Sequence, residues 1–131
     1  MIRGDKQGTT TKDPKNIKPL GELDVLGYVI PCFTAELGLW GLFDTIPRRL
    51  YLHHTIPGGP IAEADTMLHE VLHAIEQVAL EGSDRLAERQ VNTIATVLVD
   101  TLRRNAWLRD YLFTRLTSPT PGERSADGST Q

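Results

Sequence analysis

The chain contains His69-Glu70-Val71-Leu72-His73, and no other stretch restricts its fold so tightly. Residues four apart on a helix lie one turn above each other on the same face, so a helix here lets two imidazoles meet one metal ion. Glu70 then falls beside them, where a carboxylate can take a proton from a water on that metal. Zinc peptidases with a glutamate general base use this arrangement.

The surrounding pattern supplies the helix. Over residues 61–81, Leu68, Val71, Leu72, Ile75, Val78 and Ala79 recur at spacings of three and four and predict one apolar stripe, with His69 and His73 at its edge. Gly82 is a good terminator, and Ser83 or Asp84 a good N-cap for a second helix to about Asn105. Its predicted buried face is Ala87, Val91, Ile94, Ala95, Leu98 and Leu102, and a last helical piece over 107–116 continues it. The short connection makes the two long helices antiparallel neighbours.

Upstream the signals are those of strands. Residues 25–33 carry Val, Ile, Tyr and Phe and predict a first strand, at a sheet edge because of Pro31. Leu39-Trp40-Gly41-Leu42-Phe43 and Arg49-Leu50-Tyr51-Leu52-His53, joined by residues 44–48, predict a hairpin. In its second run Leu50 and Leu52 face one side, and Arg49, Tyr51 and His53 the other. Residues 55–60, rich in Pro and Gly, form a loop. The expectation is an α+β fold, a short antiparallel sheet packed on the helix of the pentapeptide and followed by a second long helix.

With 131 residues, the chain is expected to be one domain with a modest core. Residues 1–19 have almost no apolar content and predict a disordered lead-in; 117–131 predict a disordered polar tail, leaving 20–116 as the folded part. A formal net charge of -3 argues against bulk electrostatic binding of nucleic acid. No stretch has the apolar length of a membrane span or the core of a secretory signal, so a cytoplasmic protein is expected.

Cys32 is the only cysteine, which excludes an intrachain disulfide and a thiolate-rich zinc site. Any metal must be held by histidine and carboxylate. Two histidines leave a tetrahedral zinc site incomplete, so a third protein ligand is required, with water in the fourth position. Glu76, Glu81, Asp84, Glu88 and Asp100 are candidates. Glu88 is selected because it flanks Val91 and Ala95, on the edge of the face that packs against the first helix. Glu76 shares the histidine face and is better suited to orienting a ligand, while Glu81 and Asp84 lie near the turn. The chemistry implied is amide hydrolysis, with Zn2+ acidifying a water and Glu70 carrying its proton to the leaving amine. Tyr51, His53, His54 and Tyr111 are all open as oxyanion donors.

The run Leu39 to Asp44, then Arg49 to Leu52, then Thr66-Met67-Leu68-His69-Glu70-Val71-Leu72-His73-Ala74-Ile75, with Gln90-Val91 and Leu102-Arg103-Arg104-Asn105 downstream, resembles the small zincin-like metallopeptidases of phages and prophages. The likeness covers roughly 23–116. It implies a small sheet on the active-site helix, distantly similar to peptidases of the ImmA/IrrE type, acting on a protein or peptide in the cytoplasm, the host's if the chain is phage-encoded. In zincins with a glutamate third ligand the carboxylate comes from a helix after the motif, which matches Glu88. The stretch from His73 to Glu88 is shorter than in thermolysin-like enzymes and leaves little room for a substrate-binding subdomain.

Other residues have plainer readings. His53 and His54 are adjacent on a strand end and face opposite sides, as a surface pair would. Trp40, Phe43 and Tyr51 suit hairpin core, Cys32 a small buried hydrophobe, and Arg103, Arg104, Arg109 and Arg115 a solvated helix face. The alternative to a peptidase is a non-catalytic metal-binding regulatory or interaction protein, marked by a fourth side chain such as His53 closing the site.

Overall fold

A computed structural model describes residues 13–80 and 85–118. Strands β1 (Lys15–Val25), β2 (Tyr28–Glu36), β3 (Gly41–Thr45) and β4 (Arg48–His53) precede helices α1 (Gly59–Ala79), α2 (Glu88–Arg104) and α3 (Ala106–Leu116). By internal contacts the chain divides into two units, Met1–Val99 and Asp100–Gln131; the folded part expected over 20–116 extends into both.

The first unit holds the sheet, in the order β1-β2-β4-β3. The strand expected over 25–33 is instead split. Leu26 and Gly27 take φ of 54° and 90° and form the two-residue turn of a β1–β2 hairpin, in which Val25 pairs with Tyr28. Positive φ at both central residues matches the right-handed twist of the strands. The Gly27 N–H donates to Asp24 Oδ1 at 2.7 Å, which closes the turn. β1 begins at Lys15, so the expected lead-in gives up residues 15–19 to the sheet, and the rest of it up to residue 12 lies outside the described residues.

The sheet is mixed and not purely antiparallel as expected. β1–β2 and β3–β4 are antiparallel, while β2 and β4 run parallel from Cys32↔Leu50 to Ala35↔His53. The hairpin β3–β4 docks through its second strand, which leaves β3 outermost. Pro31 therefore sits in an inner strand, contrary to the edge expected for it. It is tolerated because the β4 ladder starts only at Cys32, so at Pro31 the strand has the single neighbour Glu22.

Ile30, Cys32, Leu50 and Leu52, with Val25, Ile56 and Ala74, form the buried core between sheet and α1. Strand alternation turns Phe33 and Tyr51 to the other face, where their rings stack at 5.5 Å. Met67, Val71 and Val78 of α1 pack against the core, at the spacing of one helix face. This is not the full stripe expected: Ile75 is 38 % exposed and Ala79 is exposed. Burial falls instead on Thr66, His69, Glu70, Ala74 and Glu76, so α1 turns its polar side inward. Of the face expected for α2, Val91 and Ala95 are buried, while Ile94 and Leu98 are exposed.

Thr96 of α2 donates to the Asp65 carboxylate of α1 at 3.2 and 3.3 Å, and Glu88 meets His73. One contact therefore moves back along α1 as it moves forward along α2, so the helices run antiparallel, as the short connection requires. Gly82, Ser83 and Asp84 of that connection, with Glu81, lie outside the described residues.

In the second unit Asn105 separates α3 from the end of α2. Arg109 is exposed, as expected of a solvated face, and from there donates Nη1 to the carbonyls of Leu102 and Arg103 at 2.7 and 2.8 Å. It thereby satisfies two of the carbonyls that a helix end leaves open. Of the expected polar tail, residues 119–131 lie outside the described residues. No helix among the described residues is long and apolar enough to cross a membrane.

Candidate metal centre

Helical spacing places His69 and His73 one turn apart on α1, their rings edge to face with centroids 4.7 Å apart. Glu88, in the first turn of α2, reaches them from the side. His69 Nε2 lies 2.9 Å from Glu88 Oε2 and His73 Nε2 lies 3.1 Å from Glu88 Oε1, and the two Nε2 atoms are 3.1 Å apart. One ligand atom from each residue falls within 4.8 Å of the others. His69 is fully buried, whereas the side chains of His73 and Glu88 are 26 % and 37 % exposed, so the cluster is closed on one side and open on the other.

The donor set is chemically apt for zinc: two imidazole nitrogens and a carboxylate, from two elements that the α1–α2 packing holds together. Ligands about 2.0–2.1 Å from an ion at tetrahedral angles stand roughly 3.3 Å apart. The 3.1 Å edge between the two Nε2 atoms needs to open by only a few tenths of an ångström to accept one, and Glu88 turns one carboxylate oxygen to each imidazole, Oε2 at 2.9 Å and Oε1 at 3.1 Å.

Glu70 is 1 % exposed and lies against the backbone of β3. A Cβ built on Gly41 would come within 2.8 Å of Glu70 Oε2 and 2.9 Å of its Cγ, so only glycine lets the strand approach this carboxylate so closely. Gly41 is not among the residues expected from the sequence to shape the site, although an isolated glycine within a strand-like run is itself a sign of close approach.

A cavity of about 190 Å3 opens beside the cluster and is lined by Phe43, Glu70, His73, Gln77, Arg85 and Glu88 among others. Arg85 Nη2 donates to Gln77 Oε1 at 3.3 Å. Phe43 therefore serves both the core, as expected, and the cavity wall.

The other sequence candidates fall elsewhere. Glu76 is 3.0 Å from His73 Nδ1, the orienting position expected of it. Asp100 pairs with Arg104 at 2.8 Å. Glu81 and Asp84 lie outside the described residues. His53 Nδ1 accepts the Thr55 N–H at 3.0 Å, with its ring edge-on to Trp40, and His54 Nε2 faces the Asn16 carbonyl at 3.0 Å. Tyr51 is buried in its stack, and none of Tyr51, His53 and His54 lines the cavity. Tyr111, in the second unit, lies under the Arg115 guanidinium at 4.3 Å. No protein-family model, curated protein or solved structure matches this chain, so the residues themselves carry its functional reading.

Proposed function

We propose that the chain is a zinc-dependent peptidase of the zincin type, in which His69, His73 and Glu88 hold the ion and Glu70 is the general base. The observation that best supports this is the meeting of three donors from two helices at the wall of an open cavity that also contains Glu70. Zinc held there supplies Lewis acidity, making water a stronger acid and polarising a carbonyl. Glu70 takes the proton of the attacking water and hands it to the departing amine. Its burial against Gly41 fixes where that carboxylate stands.

Two further features favour a peptide substrate and a working site. Among the described residues no strand pairs with the outer side of β3, and β3 lines the cavity through Leu42, Phe43 and Thr45. An extended peptide can add to such an edge by main-chain hydrogen bonds. His53, the side chain that would have marked a closed structural site, is engaged with Thr55 and Trp40. The resemblance to phage and prophage peptidases adds a role in a host cytoplasm to this proposal.

The test is cleavage of a mixed peptide library, read by mass spectrometry, by zinc-loaded protein and by Glu70→Gln. Wild type should cut and Glu70→Gln should not, with zinc content equal in both. Equal cutting by the two would refute the role of Glu70. Zinc uptake without cutting by wild type would favour a non-catalytic metal protein.

A further inference from the structure

Glu76 is not one of the three converging donors, yet it is 6 % exposed and both of its carboxylate oxygens are engaged. Oε1 lies 3.0 Å from His73 Nδ1, and Oε2 accepts the Leu86 N–H at 2.7 Å. Leu86 stands two residues before Glu88, which opens α2. One buried carboxylate thus touches a ligand on α1 and the chain that delivers the ligand on α2.

An ionised carboxylate can only accept hydrogen bonds. His73 faces a carboxylate at each ring nitrogen, but the Glu76 side chain is 8 % exposed and that of Glu88 37 %, so the less screened Glu76 contact holds the hydrogen on Nδ1, and in a neutral imidazole this leaves Nε2 as a bare lone pair. Nε2 is the atom that faces His69 Nε2 and Glu88 Oε1, each at 3.1 Å. We infer that Glu76 is a positioning residue that selects the metal-binding tautomer of His73 and, through Leu86, fixes the start of α2 so that Glu88 meets it. The inference rests on the metal-site part of the proposed function and is independent of peptidase activity.

A near-isosteric replacement should then do more harm than a truncation. The glutamine of Glu76→Gln has one acceptor oxygen and one NH2 donor. If the oxygen serves the Leu86 N–H, the NH2 turns to His73 Nδ1 and demands a lone pair there. The hydrogen moves to Nε2, where it blocks the metal. The opposite orientation sets the amide NH2 against the Leu86 N–H in a buried place, which is disfavoured. Glu76→Ala removes both partners and leaves His73 free to adopt either tautomer. The zinc affinities should fall in the order wild type, Glu76→Ala, Glu76→Gln. A residue that merely supports the fold would give the last two in reverse.

The experiment uses the full chain. Long-range proton–nitrogen NMR of metal-free protein, at a pH above the imidazole range, reports the tautomer of His73, whose signals are assigned by their loss in His73→Gln. Wild type should show the Nδ1–H form and Glu76→Gln the Nε2–H form. Zinc titration against a chromophoric chelator should show Glu76→Gln weaker by roughly 10- to 100-fold, and weaker than Glu76→Ala, with thermal melts of the metal-free variants separating any loss of fold. An Nδ1–H tautomer in Glu76→Gln, or affinity within about twofold of wild type, overturns the inference. If wild type takes up no zinc, the proposed function fails, while the NMR comparison still decides the role of Glu76.

Discussion

Gly41→Ala is the substitution whose consequences the structure defines most closely. The added Cβ would stand 2.8 Å from Glu70 Oε2, 2.9 Å from Glu70 Cγ and 3.1 Å from Thr66 Cγ2. Carbon contacts are comfortable from about 3.5 Å, so several tenths of an ångström must be found. Both neighbours are buried, Glu70 at 1 % and Thr66 at 0 % exposure, and neither has solvent to retreat into. Alanine at a compatible strand position would by itself stabilise by about 0.4–1 kcal/mol through the unfolded chain. Overpacking of this kind costs about 1–3 kcal/mol, so the expected net effect is a loss of roughly 1–2 kcal/mol, measured by urea unfolding.

The displaced group is the proposed base, and a shift of about 1 Å in such a group can lower turnover some 100-fold. Zinc content should hold, because the ligand residues are untouched. Glu70→Ala should relieve the clash, so the double variant should be more stable than the sum of the singles by at least about 0.5 kcal/mol. Additive stabilities, or a Gly41→Ala protein as stable and as active as wild type, would refute the packing argument.

Glu88→Ala should cut zinc affinity by well over tenfold and abolish the zinc-dependent rise in melting temperature, as scanning calorimetry with and without chelator can check; an unchanged rise would remove Glu88 from the ligand set. Burial pushes the Asp44 carboxyl above its ordinary value of 3.8, against a smaller opposing pull from Arg49 and with a small further push from Asp13. The folded chain therefore holds this proton more tightly than the unfolded one, and stability is lost as pH rises from 3.8 through the raised value. Asp44→Asn should escape that loss, so its stability relative to wild type should improve as pH rises across the window; parallel curves would contradict this. Burial likewise raises the Cys32 thiol above 9.0, despite the opposing hydrogen bond with the Leu23 backbone. Thiol reagents at mildly alkaline pH should label it in denaturant but scarcely in the native protein, and rapid native labelling would show the site to be open.

The parts of the site that were legible in the sequence are those set by local geometry. A spacing of four on a helix brings His69 and His73 together. A short helix connection brings the first turn of α2, and hence Glu88, to the same level, and Glu76 follows from its spacing of three beyond His73. Other features depend on contacts distant in the chain. Leu26-Gly27 reverses the chain within what the propensities present as one strand. The parallel pairing of β2 with β4 has no local signature, so a hairpin reading predicts an antiparallel sheet. Apolar periodicity also misplaces the inner side of α1, because that helix buries His69, Glu70 and Glu76 while leaving Ile75 and Ala79 exposed. A helix that encloses its chemistry departs from the hydrophobic stripe at the residues that matter most.

Every functional prediction above depends on the proposal that His69, His73 and Glu88 hold one zinc ion. Elemental analysis of protein purified without chelator and exchanged against buffered zinc tests it most directly. The expected result is about one zinc per chain, lost in a His69→Ala, His73→Ala double variant that keeps its fold. Wild-type protein with a zinc content near zero, or a double variant that still carries a full equivalent, would contradict it.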